Sequence, residues 1–151
     1  MVRFTIVAVT DSRTEKEDNS GKAVAEEIEK TGHEVSERLM VKNDSEDIQK
    51  AVFGAKGDIV ITMGGTGISS KDITPEALKP LLDKELYGFG ELFRMLSYKD
   101  IGTSTMMSRA FAGTLGGKAV FCLPGSTSAC VLATREIIIK ECEHLIKEMR
   151  K

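Results

Sequence analysis

DIVITMGGTGISSKDITP, running from Asp58 to Pro75, decides how the rest of the chain is read. Ile59 to Met63 is a continuous apolar run, the pattern of a strand buried on both faces. It opens into Gly64-Gly65-Thr66-Gly67, a turn in which backbone N–H groups come close to the surface with no side chain in the way. A polar loop carrying Lys71 and Asp72 follows, and Thr74-Pro75 starts a helix. A glycine turn at the end of a buried strand suits an anionic ligand.

Outward from this stretch, strands and helices alternate. Phe4 to Val9 predicts a second buried strand, and the polar loop TDSRTEKEDNSG, Thr10 to Gly21, follows it. A helix then runs to about Lys30 and stops at Thr31-Gly32. Glu34 to Val41 alternates as a more exposed strand. Asn43-Asp44-Ser45 caps a helix whose Ile48, Ala51 and Val52 form one face. Past Pro75 the helix is expected to continue through Leu82, with Pro80 disturbing it. Gly88-Phe89-Gly90 breaks that pattern, and a short helix follows from Gly90. Gly102 to Gly117 carries no assignable period. Lys118 to Leu123 is another buried strand, ended by Pro124-Gly125-Ser126, and one long helix covers Thr127 to Met149. This alternation predicts an α/β fold with a mostly parallel sheet. Ligands of such sheets bind beyond the carboxyl ends of the strands.

Residues 1–151 are enough for one domain with a core that needs no disulfides. The net charge of −2 offers no basic footprint for nucleic acid. Cys122, Cys130 and Cys142 form no CxxC pair, which predicts a reduced, cytoplasmic setting. The apolar start is too short for a membrane span or a signal sequence.

GGTG fits neither common phosphate motif. A Walker loop needs glycine before its Lys-Ser/Thr pair, but Ser70 precedes Lys71 and Asp72 follows it. A dinucleotide fingerprint needs a third glycine where Ser70 stands. Two readings of the turn stay open: a tight turn, or a cradle for a phosphate-bearing ligand. Asp72 either forms an Asx turn or ligates Mg²⁺ beside phosphates. Asp44 has the simpler reading of a cap. Asp11 and Ser12 follow a buried strand, where functional loops concentrate. Ser126 caps the last helix, whose N-terminus also suits an anion. Glu91 and Arg94 stand one turn apart and are placed to pair. His33 and His144 lack metal-ligand spacing.

TMGGTGISSKDITPEALKPLL, GFGELFR, IGTSTMMSRAFAG and LPGST together resemble the MoaB/MogA family of molybdenum cofactor biosynthesis, which also resembles domains of gephyrin and plant Cnx proteins. TDSRTEKEDNSG and GHEV fit the same family, so the resemblance covers nearly the whole chain. It implies a three-layer α/β/α molybdopterin-binding fold assembled as a trimer or hexamer. It implies transfer of AMP from ATP to the terminal phosphate of molybdopterin, with Mg²⁺ and release of pyrophosphate. A non-catalytic molybdopterin-binding carrier or assembly protein is the alternative, and a nucleotide-binding domain that ignores pterins is a third.

By this resemblance Asp72 and Asp44 are the catalytic aspartates, with Asp72 placing the metal or nucleotide. Gly64, Gly65, Thr66, Gly67, Pro124, Gly125 and Ser126 line the pterin and phosphate pocket. Asp11, Ser12, Lys71 and Glu91 fall in matching blocks, and Ser108 and Arg109 are expected to contact phosphate. Three positions depart from the family pattern. Met63 stands where Thr is common, Lys42-Asn43 replaces Pro-Asp, and Lys71 replaces an Arg, losing its bidentate geometry.

Overall fold

Four parallel strands form the heart of the sheet. They are β1 (Arg3–Val9), β2 (Glu34–Val41), β3 (Ile59–Met63) and, past two shorter strands in the chain, β6 (Lys118–Leu123). β1 pairs with both β2 and β3, and β3 with β6. The shorter strands are β4 (Lys84–Glu85) and β5 (Phe111–Leu115), and the sheet order is β2-β1-β3-β6-β5-β4. β5 runs antiparallel to both of its neighbours, so it alone is reversed. The computed structural model describes residues 1–151, apart from the side chain of Glu15.

Helices cover both faces. α1 (Asn19–Glu29), α4 (Tyr87–Ile101), α5 (Thr127–Ala133) and α6 (Ile139–Met149) pack on one side. α2 (Ser45–Phe53) and α3 (Thr74–Leu78) pack on the other. Alternate residues of each central strand serve the two cores: Phe4, Ile6 and Ala8 of β1 face the first, Val7 and Val9 the second. This two-sided burial explains why the strands read as continuous apolar runs, and each fully buried Val or Ile contributes about 1.5–3 kcal/mol. The three-layer α/β/α architecture with a mostly parallel sheet is what the sequence led one to expect.

Some expectations need correction. α1 begins at Asn19, inside the loop expected to reach Gly21, because the Asp18 carboxylate accepts the Gly21 N–H at 2.9 Å. The helix after Pro75 ends at Leu78 and tightens into a 3₁₀ turn at Lys79–Leu81, since Pro80 cannot donate to the preceding turn. α4 starts at Tyr87 and so contains the GFG segment expected to separate it from the preceding helix. Gly90 is small there because a Cβ would crowd Arg94 and the Ala110 carbonyl. Arg94 does not pair with Glu91: it donates to the carbonyls of Ala110 at 2.8 Å and Ser108 at 3.3 Å. The unassigned stretch holds a 3₁₀ turn (Gly102–Met107) and then β5. β5 joins β6 through Gly116-Gly117, whose φ values of 58° and 82° suit a two-residue hairpin turn. The long last helix is continuous but widens into a π turn at Thr134–Ile138. From that turn Arg135 reaches Glu27 of α1 at 2.7 Å.

No helix among the described residues is long and apolar enough to cross a membrane. Cys122, Cys130 and Cys142 are free and buried.

Candidate functional site

The chain leaves β1 for α1 on one face of the sheet, reaches β2, and returns through α2 on the opposite face to β3. The loop after β1 leads to α1 on one face and the loop after β3 to α3 on the other, so they diverge and a crevice opens between them at the carboxyl ends of the strands. Crevices at such reversal points bind ligands in open α/β sheets. Here the crevice holds a cavity of about 420 Å³.

Thr10 anchors the first wall. Its N–H donates to Val41 O at 2.8 Å, while its Oγ1 accepts the Arg13 N–H at 3.2 Å. That turn presents Asp11, Ser12 and Arg13 to the cavity. The Asp11 carboxylate accepts the Asn43 backbone N–H at 2.9 Å and its side-chain amide at 3.3 Å. The backbone hydrogen bond from Asn43 holds the Asp11 pKa below its usual value against slight desolvation, and Lys71 and Lys42 add attraction. Asp11 is therefore an anion that fastens two loops together.

The glycine turn forms the second wall. Gly64 has φ 112° and Gly65 φ 75°, a region costly for any other residue. A Cβ on Gly64 would overlap the Val9 carbonyl oxygen, and one on Gly65 would overlap Thr74 Oγ1. Thr74, fully buried, locks the turn by donating from Oγ1 to Gly64 O at 2.9 Å and from N–H to Gly65 O at 3.0 Å. Among the described residues, the N–H groups of Gly65, Thr66 and Gly67 donate to no protein acceptor. Three successive backbone donors without a protein partner are what an anion-binding turn offers.

Asp72 does not reach forward to cap α3. Its Oδ2 accepts from Ser69, at 3.0 Å from the backbone N–H and 2.8 Å from the hydroxyl. Its Oδ1 has no protein donor among the described residues. The third wall is Pro124-Gly125, with Gly125 O accepting the Ser20 hydroxyl at 2.9 Å.

A second cavity of about 250 Å³ also borders the glycine turn and includes Thr66, Gly67, Ser108 and Pro124. Gly65, Asp72 and Gly125 line both cavities. The site thus has two compartments that share Asp72 in their lining. Arg13 and Lys71 supply positive charge to the larger one, beside the carboxylate residues Asp11, Asp18 and Asp72. A phosphate-rich ligand fits this mixture of cations and unspent N–H groups.

Most of the expected site residues meet here: Asp11, Ser12, Gly64, Gly65, Lys71, Asp72 and Gly125 at the larger cavity, and Thr66, Gly67, Ser108 and Pro124 at the smaller. Four do not line either one. Asp44 is exposed and caps α2, accepting the Asp47 N–H at 3.1 Å. Ser126 caps α5 through the Ala129 N–H at 3.3 Å. Glu91 lies exposed on α4. Arg109 has turned its guanidinium onto the glycine loop itself: Nε donates to Gly67 O at 2.8 Å and NH2 to Asp72 O at 2.9 Å. Residues not singled out from the sequence also line the larger cavity: Arg13, Asp18, Ser20, Asn43 and Ser69. Only Arg13 had a signal in sequence, its place directly after Asp11-Ser12.

The family model for a probable molybdopterin binding domain matches residues 5–144. Molybdenum cofactor biosynthesis protein B of Bacillus cereus is 48% identical over 155 aligned residues, covering 99% of this chain and 92% of that relative. A crystal structure of a molybdenum cofactor biosynthesis protein B superposes with a TM-score of 0.94 at 48% identity, over 99% of this chain and 96% of the other. The tungsten cofactor synthesizing protein MoaB of Pyrococcus furiosus superposes with a TM-score of 0.91 at 41% identity, over 99% and 98%.

Proposed function

The chain belongs to the family of molybdopterin-binding domains, and on that premise we propose that it serves molybdenum cofactor biosynthesis as a cytoplasmic molybdopterin adenylyltransferase. One observation carries the reading: two adjoining cavities share Gly65, Asp72 and Gly125. Two phosphate-bearing substrates seated on either side would meet at that boundary.

The terminal phosphate of molybdopterin is the nucleophile in this reading. It forms a bond to the α-phosphorus of ATP as the bond to the departing pyrophosphate breaks. A substrate phosphate is already anionic at neutral pH, so no Ser, Cys or His nucleophile is needed. The chain's task is to position two anions against their repulsion and to stabilise the charge that moves. Arg13 and Lys71 offset that repulsion, and the N–H groups of Gly65, Thr66 and Gly67 hold phosphate oxygens. Asp72, fixed by Ser69, orients what lies at the boundary.

Mg²⁺ is held in other phosphoryl-transfer sites by one or two carboxylates together with substrate phosphates. The unspent Asp72 Oδ1 fits that role, and among the described residues no group of three or more His, Cys, Asp or Glu forms a dedicated cage. When bound, the ion would neutralise charge on the phosphates.

We also propose that the protein works as a trimer or hexamer. Leu92, Met95, Tyr98 and Ile101 recur every third residue on α4 and are 48%, 55%, 59% and 58% exposed, an apolar stripe suited to a second copy. Sedimentation that shows only monomer at working concentration would remove this part.

The activity is tested by incubating the protein with molybdopterin, ATP and Mg²⁺. Adenylylated molybdopterin and pyrophosphate should appear together. Folded protein that binds molybdopterin but yields neither product would be a carrier. Binding of ATP without any pterin affinity would reject both readings.

A further inference from the structure

Each nitrogen of the Arg109 guanidinium bonds within the protein, to the glycine loop or to α3. Nε donates to Gly67 O at 2.8 Å and NH2 to Asp72 O at 2.9 Å. NH1 and NH2 form a fork onto the Glu76 carboxylate at 2.6 and 3.1 Å. The Arg109 backbone N–H adds a bond to Thr66 O at 2.9 Å. One residue thus gathers the carbonyls of Thr66, Gly67 and Asp72, at both ends of the segment that carries the unspent N–H groups and the boundary carboxylate.

We infer that Arg109, braced by Glu76, is a positioning residue: it draws the carbonyls of this segment to one side, leaving its N–H groups free for substrate phosphate and fixing where Asp72 stands. Two peptide groups turned by such bonds cannot also offer their oxygens to an incoming anion, whose approach they would repel. Only a planar fork with several fixed donors holds two carbonyls and a carboxylate together. A lysine ammonium lacks that geometry. Glu76 lies in the first turn of α3, so the clamp ties the loop to a packed element. The part of the inference that concerns turnover rests on the adenylyltransferase reading; the part that concerns the loop does not.

The test compares Arg109→Lys, Glu76→Gln and the swap Arg109→Glu/Glu76→Arg with the wild type. Amide hydrogen exchange is read at Asp72, Thr74 and residue 109, whose N–H groups are bonded within or to this segment. Exchange there should quicken by about tenfold or more in all three variants, given the worth of charged hydrogen bonds. Amides of the central strands should stay unchanged. The swap keeps an ion pair but not the carbonyl bonds, so it should fail to restore slow exchange. In the transfer assay, kcat should fall at least about tenfold, and KM for ATP should rise alongside the faster exchange.

Unchanged exchange in Glu76→Gln and Arg109→Lys would overturn the clamp. So would restoration by the swap, which would reduce the contact to a plain ion pair. A raised KM with unaltered exchange would instead make Arg109 a direct phosphate ligand. Glu76 is 58% exposed at its side chain, so its variant is expected to fold even where an Arg109 variant does not. If the wild type transfers no AMP, the activity reading fails alone, and the exchange data still judge the clamp.

Discussion

Gly64→Ala probes whether the turn at the end of β3 is as constrained as it looks. Gly64 sits at φ 112°, and holding a residue with a side chain in such a region costs about 1–3 kcal/mol. The new Cβ would also overlap the Val9 carbonyl oxygen, which ends β1 and cannot move without disturbing its pairing. Forced overpacking of this kind adds about 1–3 kcal/mol. The sum, about 2–6 kcal/mol, corresponds to roughly 2–4 °C per kcal/mol for a chain of this size, a fall of about 4–24 °C. Gly116→Ala is the control. Its φ of 58° is also positive, but a Cβ there meets nothing within 4 Å, so only the backbone cost of about 1–2 kcal/mol applies. Melting followed by circular dichroism reads both variants, and molybdopterin titration reads the site. Gly64→Ala should melt well below Gly116→Ala and bind more weakly, because the displaced turn carries the anion cradle. Equal melting of the two would refute the claim that close approach to β1, rather than φ alone, demands glycine at position 64.

Asp72→Asn should lower turnover at least about tenfold while molybdopterin affinity changes little, since Oδ1 is the group left free at the boundary; equal losses in kcat and binding would remove its catalytic role. Glu27 is held at a pKa of about 2, mainly by the Arg135 guanidinium and then by Lys30. A folded pKa below the ordinary 4.5 means this contribution is full above about pH 4.5 and is lost as pH falls toward 2. Melting temperature plotted against pH should therefore be flatter over that window in Glu27→Gln, and parallel curves would contradict it. Burial pushes the Cys122 thiol up to about 12, so native protein at pH 8 should resist iodoacetamide at this position and react only once unfolded; peptide mapping shows which.

The strand runs were legible because each is buried on both faces, and such burial writes itself into consecutive residues. Glu34 to Val41 was legible for a different reason, as a half-buried edge strand whose sequence alternates. Caps such as Asp44 were visible because capping is a contact within three residues. The Gly116-Gly117 hairpin was missed although its turn residues were in plain view. Its strand Phe111–Leu115 contains Ala, Gly and Thr, small residues that do not announce a strand until β6 lies beside them.

Sequence by itself determined the α/β class, the buried strands and the glycine turn, since periodicity, caps and turn chemistry act over a few residues. It also brought most of the site to notice through its motifs. Tertiary structure alone decided that β1 lies between β2 and β3, which opens the crevice, and that the site divides into two compartments about Asp72. It also decided the use of Arg109: its partners Gly67, Asp72 and Glu76 lie 42, 37 and 33 residues away. A guanidinium near a glycine-rich loop reads as a phosphate ligand in sequence. Once folding brings those carbonyls and the Glu76 carboxylate within reach, four of its five N–H donors are already spent.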